Sequence, residues 1–117
     1  MKILLVEDNE MSRDMLVRRL QKRGYDVVSA ETGQQAIEMS ISEEPGLILM
    51  DMTLPDINGC EATREIKKNE ITAHIPVVGL SAHVLKEDKE EAMKSGCDDY
   101  DIKPVDMERL TDIINKF

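Results

Sequence analysis

The sequence predicts a single α/β domain built as a doubly wound, five-stranded parallel sheet with helices on both faces, a three-layer sandwich. Three observations predict it. Five short apolar runs are spaced along the 117 residues and alternate with segments of helical periodicity, the pattern of repeated βαβ units. The runs at 3–6 (ILLV), 47–50 (LILM) and 76–80 (PVVGL) are almost continuously apolar, as strands buried on both faces are. The connections are short, which implies right-handed crossovers between parallel strands. A chain of this length buries a core without disulfide or metal staples.

The elements follow in order. Residues 3–6 form the first strand and end in Glu7-Asp8-Asn9. Met11, Met15, Leu16 and Leu20 recur at helical spacing as far as Gly24, a natural helix stop. Residues 25–30 are strand-like. Thr32-Gly33-Gln34-Gln35 has capping-box spacing, and Ala36, Ile37, Ser40 and Ile41 carry a helix face until Pro45. The third strand, 47–50, stops abruptly at Asp51. Leu54-Pro55-Asp56 turns the chain, and Asn58, with Glu61 three residues on, is the expected cap of a helix reaching about Asn69, with Ala62, Thr63 and Ile66 inward. The fourth strand, 76–80, ends at Ser81. A charged helix over roughly 84–95 closes at Gly96, and its Lys86, Glu90 and Lys94 stand four residues apart on a solvated face. A fifth strand at 100–102 stops at Lys103-Pro104. Asp106 then caps a last helix with Met107, Leu110, Ile113, Ile114 and Phe117 on one stripe.

Composition excludes several function classes. The net charge of −9 opposes any surface that gains affinity by neutralising nucleic-acid phosphates, so no nucleic acid is expected to bind this domain alone. No apolar run is long enough to span a bilayer, and no membrane partner is expected. Cys60 and Cys97 lie far apart, outside any CxxC or Cys/His ligand spacing, and no secretory segment is read at the N-terminus. The expectation is a reduced, cytoplasmic protein with both cysteines as buried small residues. With one Phe, two Tyr and no Trp, the core is expected to be aliphatic and Met-rich, its eight methionines packing residues.

The layout gathers scattered polar residues. Glu7 and Asp8 end the first strand, Asp51 the third, Ser81 the fourth and Lys103 the fifth, and ligands of open parallel sheets bind outside these carboxyl ends. Three crowded carboxylates repel one another unless a cation neutralises them, and an all-oxygen set suits Mg²⁺. Lys103 adds a fixed positive charge and Ser81 a hydroxyl. Groups of this kind converging on one carboxylate stabilise extra negative oxygens upon it, so Asp51 reads as an acceptor of a phosphoryl group. Singly, each has a plainer reading: Glu7 and Asp8 as helix caps, Asp51 as a turn residue, Lys103 as a surface cation, Ser81 as a loop hydroxyl, Tyr100 as packing. Capping does not explain acids and a lysine together at several strand ends. A dinucleotide binder lacks its GxGxxG. A flavodoxin-type cofactor loop must cradle phosphate, which Glu7-Asp8-Asn9 repels.

The motifs ILLVEDN, LILMDMTLPDINGCE, PVVGLSA and GCDDYDIKP, in that order, resemble the receiver domain of two-component response regulators, of the chemotaxis-receiver kind, over essentially all of residues 1–117. The resemblance implies a flavodoxin-like (βα)5 fold with strand order 2-1-3-4-5. It makes Asp51 the phosphoacceptor. Asp8, Asp51 and the backbone carbonyl of Thr53 would bind Mg²⁺ directly, with Glu7 acting through a metal-bound water. Lys103 would pair with the phosphoryl group, its bond to Pro104 would be cis, and Ser81 and Tyr100 would be the switch pair. A phosphatase of the haloacid dehalogenase type has a second acid where this chain has Thr53.

The same resemblance implies a phosphorelay switch that assists its own phosphotransfer and autodephosphorylation but is not a turnover enzyme. Its donor would be a sensor histidine kinase or a histidine phosphotransfer protein, and its output an unspecified protein target. That target would be controlled through the surface of the fourth helix, fifth strand and fifth helix. A phosphorylation-dependent homodimer is a further expectation, and the chain is either a stand-alone receiver or part of a longer regulator or hybrid kinase. Thr53 and His83 fall at positions lining the route of an attacking water, so the titratable His83 is expected to tune phosphoryl lifetime. The competing class is a receiver-like interaction module that works without phosphorylation.

Overall fold

In the computed structural model, which describes residues 1–82 and 86–117, strands and helices alternate throughout. The order is β1 (Lys2–Val6), α1 (Glu10–Lys22), β2 (Asp26–Ala30), α2 (Gly33–Ser42), β3 (Leu47–Asp51), α3 (Gly59–Lys68), β4 (Val77–Ser81), α4 (Lys86–Ser95), β5 (Asp99–Ile102) and α5 (Met107–Ile114). The strands form one parallel sheet in the order β2-β1-β3-β4-β5, as expected. The expected helix start at 84 and the expectation for His83 lie outside the described residues.

Strand geometry explains why the central runs are apolar throughout. Successive side chains point to opposite faces, so a strand covered on both sides needs an apolar residue at every position. Leu4, Val6, Ile48, Met50 and Val77 pack with Ala36, Ala62, Ile66 and Ala92 of α2, α3 and α4. Ile3, Leu5, Leu47, Leu49, Val78 and Leu80 pack on the other face with Leu16 and Leu20 of α1 and Leu110, Ile113 and Ile114 of α5. Every residue of β3 and β4 is buried.

Local signals fix the helix ends. Asn9 accepts from the Ser12 amide at 3.0 Å, Asn58 from Glu61 at 2.9 Å, and Asp106 from Glu108 and Arg109 at 3.0 and 3.1 Å. Each such cap contributes about 1 kcal/mol. Thr32 accepts from the Gln35 amide at 3.1 Å, but Gln35 Oε1 reaches back to the Glu31 amide, at 2.8 Å, where the expected box places Thr32. Gly24 and Gly96 follow α1 and α4 at φ +91° and +115°, a region glycine enters without steric cost.

Three apolar readings of the sequence are corrected. Met11 is 83% exposed and Met15 half exposed, because α1 meets the sheet through a narrow stripe centred on Leu16 and Leu20. Ile41 and Phe117 are also exposed at the ends of their stripes. Cys97 is buried, and burial pushes its thiol up to about 11, whereas Cys60 is only half-buried beside Met52. The Lys86–Glu90 pair forms at 3.9 Å on an exposed face.

The turn from β3 into α3 allows little slack. The Gly59 amide donates to the Met52 carbonyl at 3.1 Å. A Cβ at Gly59 would collide with the Asp51 carbonyl oxygen and lie 2.7 Å from Met52 Cα. Backbone atoms cannot yield as a side-chain tip does, so Gly59→Ala is expected to lose about 1–3 kcal/mol in chemical denaturation. An unchanged midpoint would show that the loop relaxes freely.

Candidate functional site

Strand register assembles the polar groups as a staircase. Val6 stands beside Met50, so Glu7 and Asp51 follow side by side at the ends of adjacent strands. Asp51 pairs with Leu80, and Ser81 with Ile102, so Ser81 and then Lys103 each come one step beyond. The Lys103 amide donates to the Ser81 carbonyl at 2.8 Å, and the Lys103-Pro104 bond is cis, as expected.

Glu7 and Asp51 are both buried, and Asp8 is exposed beside them. One oxygen from each of the three lies within 4.8 Å of the others. Lys103 Nζ donates to Glu7 at 2.7 Å and to Asp51 at 3.4 Å. The Thr53 amide donates to the other oxygen of Asp51 at 2.9 Å. These groups line a cleft of about 370 Å³ together with Asn9, Ser12 and Ala82.

The charges do not balance. Burial, and then hydrogen bonding to Glu7, raise the Asp51 carboxyl from its ordinary 3.8 to about 7, against the opposing pull of the Thr53 amide and Lys103. Burial also acts to raise Glu7, but its hydrogen bonds to Asp51 and Lys103 outweigh that and hold it low. Lys103 loses hydration, yet its two carboxylate partners keep its pKa above the usual value. Of the two carboxyls, Asp51 is therefore the one that gives up its proton less readily. An incoming cation that displaced that proton would relieve the repulsion, and three carboxylates with a nearby carbonyl are the hard oxygen donors that Mg²⁺ takes.

Ser81 is buried at the end of β4. Tyr100 is half-buried on β5 opposite Gly79, and a Cβ at Gly79 would lie 3.2 Å from its ring and 3.3 Å from the Met52 methyl. The missing side chain thus leaves a notch that Met52 and Tyr100 share. Thr53 is exposed at the cleft.

The sequence reading missed two supports. Arg13 of α1 donates to the Glu7 carbonyl at 3.1 Å and pairs with Glu31 at 3.2 Å, clamping the acidic loop from behind. Its only sequence signal is a cation on the first turn after the acids. Asp56, read as a turn residue, accepts from the amides of Gly33 and Gln34 at 2.8 and 2.9 Å. Nothing local in the sequence pairs it with α2.

Residues 3–115 match the family described as response regulator receiver domain, and the chain belongs to that family. It is 39% identical over 122 residues to hybrid signal transduction histidine kinase I of Dictyostelium discoideum, covering 97% of this chain but only 7% of that protein. It is 32% identical over 115 residues to the polar-differentiation response regulator DivK of Brucella ovis, covering 98% of this chain and 94% of DivK. Among solved structures, it is similar to the receiver domain of sensor histidine kinase PA1611 from Pseudomonas aeruginosa PAO1, which has a magnesium ion coordinated in its active-site cleft. That match has a TM-score of 0.92 and 35% identity, covering 98% of this chain and 94% of that one. The receiver domain of Saccharomyces cerevisiae Ssk1, solved with the histidine phosphotransfer protein Ypd1, matches with a TM-score of 0.90 and 32% identity. It covers 99% of this chain and 87% of that one. The domain is thus a receiver of two-component signalling. No helix among the described residues is long and apolar enough to cross a membrane.

The raised Asp51 carboxyl fixes a sign for stability. An acid whose folded pKa lies above its unfolded value favours the fold fully at low pH, and that contribution is lost as pH rises from about 4 to about 7. Asp51→Asn removes the penalty. In EDTA, thermal unfolding followed by circular dichroism is expected to show the variant more stable than the parent above pH 7, with a flatter profile below it. Parallel profiles would mean that Asp51 ionises without cost.

Proposed function

We propose that the domain is a phosphorylation-activated switch in which Asp51 accepts a phosphoryl group from a phosphohistidine of a sensor kinase or a histidine phosphotransfer protein. The observation that carries this reading is Asp51 itself, a buried carboxylate crowded by Glu7, contacted by Lys103 and open to the cleft. Asp8, Asp51 and the Thr53 carbonyl would hold Mg²⁺ directly, with Glu7 acting through a bound water, and the structures with Mg²⁺ and with Ypd1 support that choice of ion and donor. When bound, the ion would neutralise charge on the transferring oxygens.

The chain's own residues do the rest. As the Asp51 carboxylate attacks, the new O–P bond forms while the P–N bond of the phosphohistidine breaks, and the imidazole nitrogen leaves with the electron pair and takes up a proton. Lys103 is within reach of Asp51 Oδ2 and offers an ammonium to the added negative charge. Ser81, at the end of the neighbouring strand, would then be drawn toward the phosphoryl oxygens, and Tyr100 would rotate inward into the space that Ser81 vacates. The surface of α4, β5 and α5 would change for a protein target or for a second copy of the domain. On this reading the protein is a switch, not a turnover enzyme.

Incubation with Mg²⁺ and a small acyl phosphate, followed by intact mass measurement, tests it. One added phosphoryl group is expected in the parent, and none in Asp51→Asn or in EDTA. A gain that persists in Asp51→Asn would remove Asp51 from the mechanism. No gain together with no Mg²⁺ binding would transfer the reading to a phosphorylation-independent interaction module.

A further inference from the structure

We infer that Asp56 is a positioning residue of the phosphoacceptor site, tying the loop that carries the Thr53 carbonyl to the first amides of α2 and so setting how tightly the site holds a divalent cation. This rests on the reading of Asp51, Asp8 and Thr53 given above. Asp56 is exposed, yet both of its oxygens are spent on backbone amides more than twenty residues away in the chain, Oδ1 on Gly33 at 2.8 Å and Oδ2 on Gln34 at 2.9 Å. Those bonds, Gln34 first, hold its carboxyl below the usual range.

The contact is more than an end cap. Helix α2 already has its local cap, since Thr32 serves the third amide, that of Gln35. Next to Asp56, Ile57 lies so close to Gly33 that a Cβ there would stand 2.5 Å from Ile57 Cγ1 and 3.0 Å from the Ile57 carbonyl. The loop and the helix end therefore meet through two independent features, a bidentate carboxylate and a glycine without which the approach would be blocked.

The other fixed points of the loop lie near its ends. The Thr53 amide is on Asp51 Oδ1, and the Gly59 amide is on the Met52 carbonyl. Between them Pro55 restricts its own φ and the conformation of Leu54. The direction of the Thr53 carbonyl therefore depends on where Asp56 holds the far side of the turn. Freed from α2, the turn would sample other orientations, and a ligand that must be reoriented binds its ion less tightly.

The test compares Asp56→Ala, Asp56→Asn and Thr32→Ala with the parent. Mg²⁺ titrations are followed by amide chemical shifts and by calorimetry, with stability measured by denaturation. Asp56→Ala is expected to stay folded, to shift the Gly33 and Gln34 amides, and to bind Mg²⁺ about tenfold more weakly, the low end for groups that support a metal ligand. Asp56→Asn keeps one acceptor oxygen and is expected to recover part of the loss. Thr32→Ala removes the local cap of the same helix end and is expected to cost stability while Mg²⁺ affinity stays within about twofold of the parent. Equal affinity in parent and Asp56→Ala would overturn the inference and leave the reading of the site intact. So would an equal loss of affinity in Thr32→Ala, since stability alone would then explain it. A parent that binds no Mg²⁺ would bring down both.

Discussion

Two buried carboxylates share one ammonium at the centre of the sheet edge, and the site is organised around that shortfall. Parallel register between β1 and β3 sets Glu7 beside Asp51. Two like charges about 4 Å apart near a protein surface repel by on the order of 4 kcal/mol. Lys103 comes closer to Glu7 than to Asp51, so its charge chiefly relieves one of them. The other keeps its proton to near neutrality. A metal-free edge of this kind is short of positive charge, and an oxygen-loving cation is the species that would complete it. The nearby supports leave that shortfall in place: Arg13 holds the Glu7 carbonyl and pairs with Glu31, and the Thr53 amide that holds Asp51 Oδ1 is neutral, so neither brings a second positive charge onto a site carboxylate.

The side of the molecule formed by α4, β5 and α5 is held less firmly, and that matters for the proposed switch. Helix α4 buries only Ala92 and Ser95 along its length, and the rest of its surface is charged apart from the exposed Met93. On β5, Asp101 is buried and paired with Arg109 at 2.7 Å, but its second oxygen has no hydrogen-bond partner among the described residues. An unsatisfied buried oxygen costs about 1–3 kcal/mol. Tyr100 packs against Gly79, its ring 3.2 Å from where a Cβ would stand, and is only half-buried. Each feature lowers the cost of repacking α4, β5 and α5 relative to repacking β1 and β3. A charge added at Asp51 would thus find its least expensive response at that periphery.

How much of this was legible depended on how local the cause is. Strands β1, β3 and β4 were read correctly because burial on both faces demands continuous apolar residues, and helix starts were read from Thr32, Asn58 and Asp106, whose bonds span two or three residues. The carboxylate and lysine cluster was legible because a doubly wound sheet brings every strand end to one edge. Met11 and Met15 were misread as core because helical spacing reports which residues share a face, and only tertiary packing decides how wide a stripe is covered. Arg13 and Asp56 were not seen as supports. Asp56 grips two backbone amides, and Arg13 reaches the site through the Glu7 carbonyl; a carbonyl or an amide has no identity in a sequence.

Side chains that meet other side chains constrain sequence at both ends, whereas Asp56, whose partners are backbone amides, constrains it at one. On the proposed reading the chemistry at the edge would fall to Glu7, Asp8, Asp51 and Lys103, while Arg13 and Asp56 grip the backbone around it. Stability lies elsewhere again, in strands whose side chains are almost wholly removed from solvent. If the proposed switch holds, a unit of charge added at the edge would bias a peripheral equilibrium of a few kcal/mol while the buried strands keep the fold. On the inference drawn for Asp56, the site's tuning would rest on an exposed residue that a core-based reading of the sequence passes over.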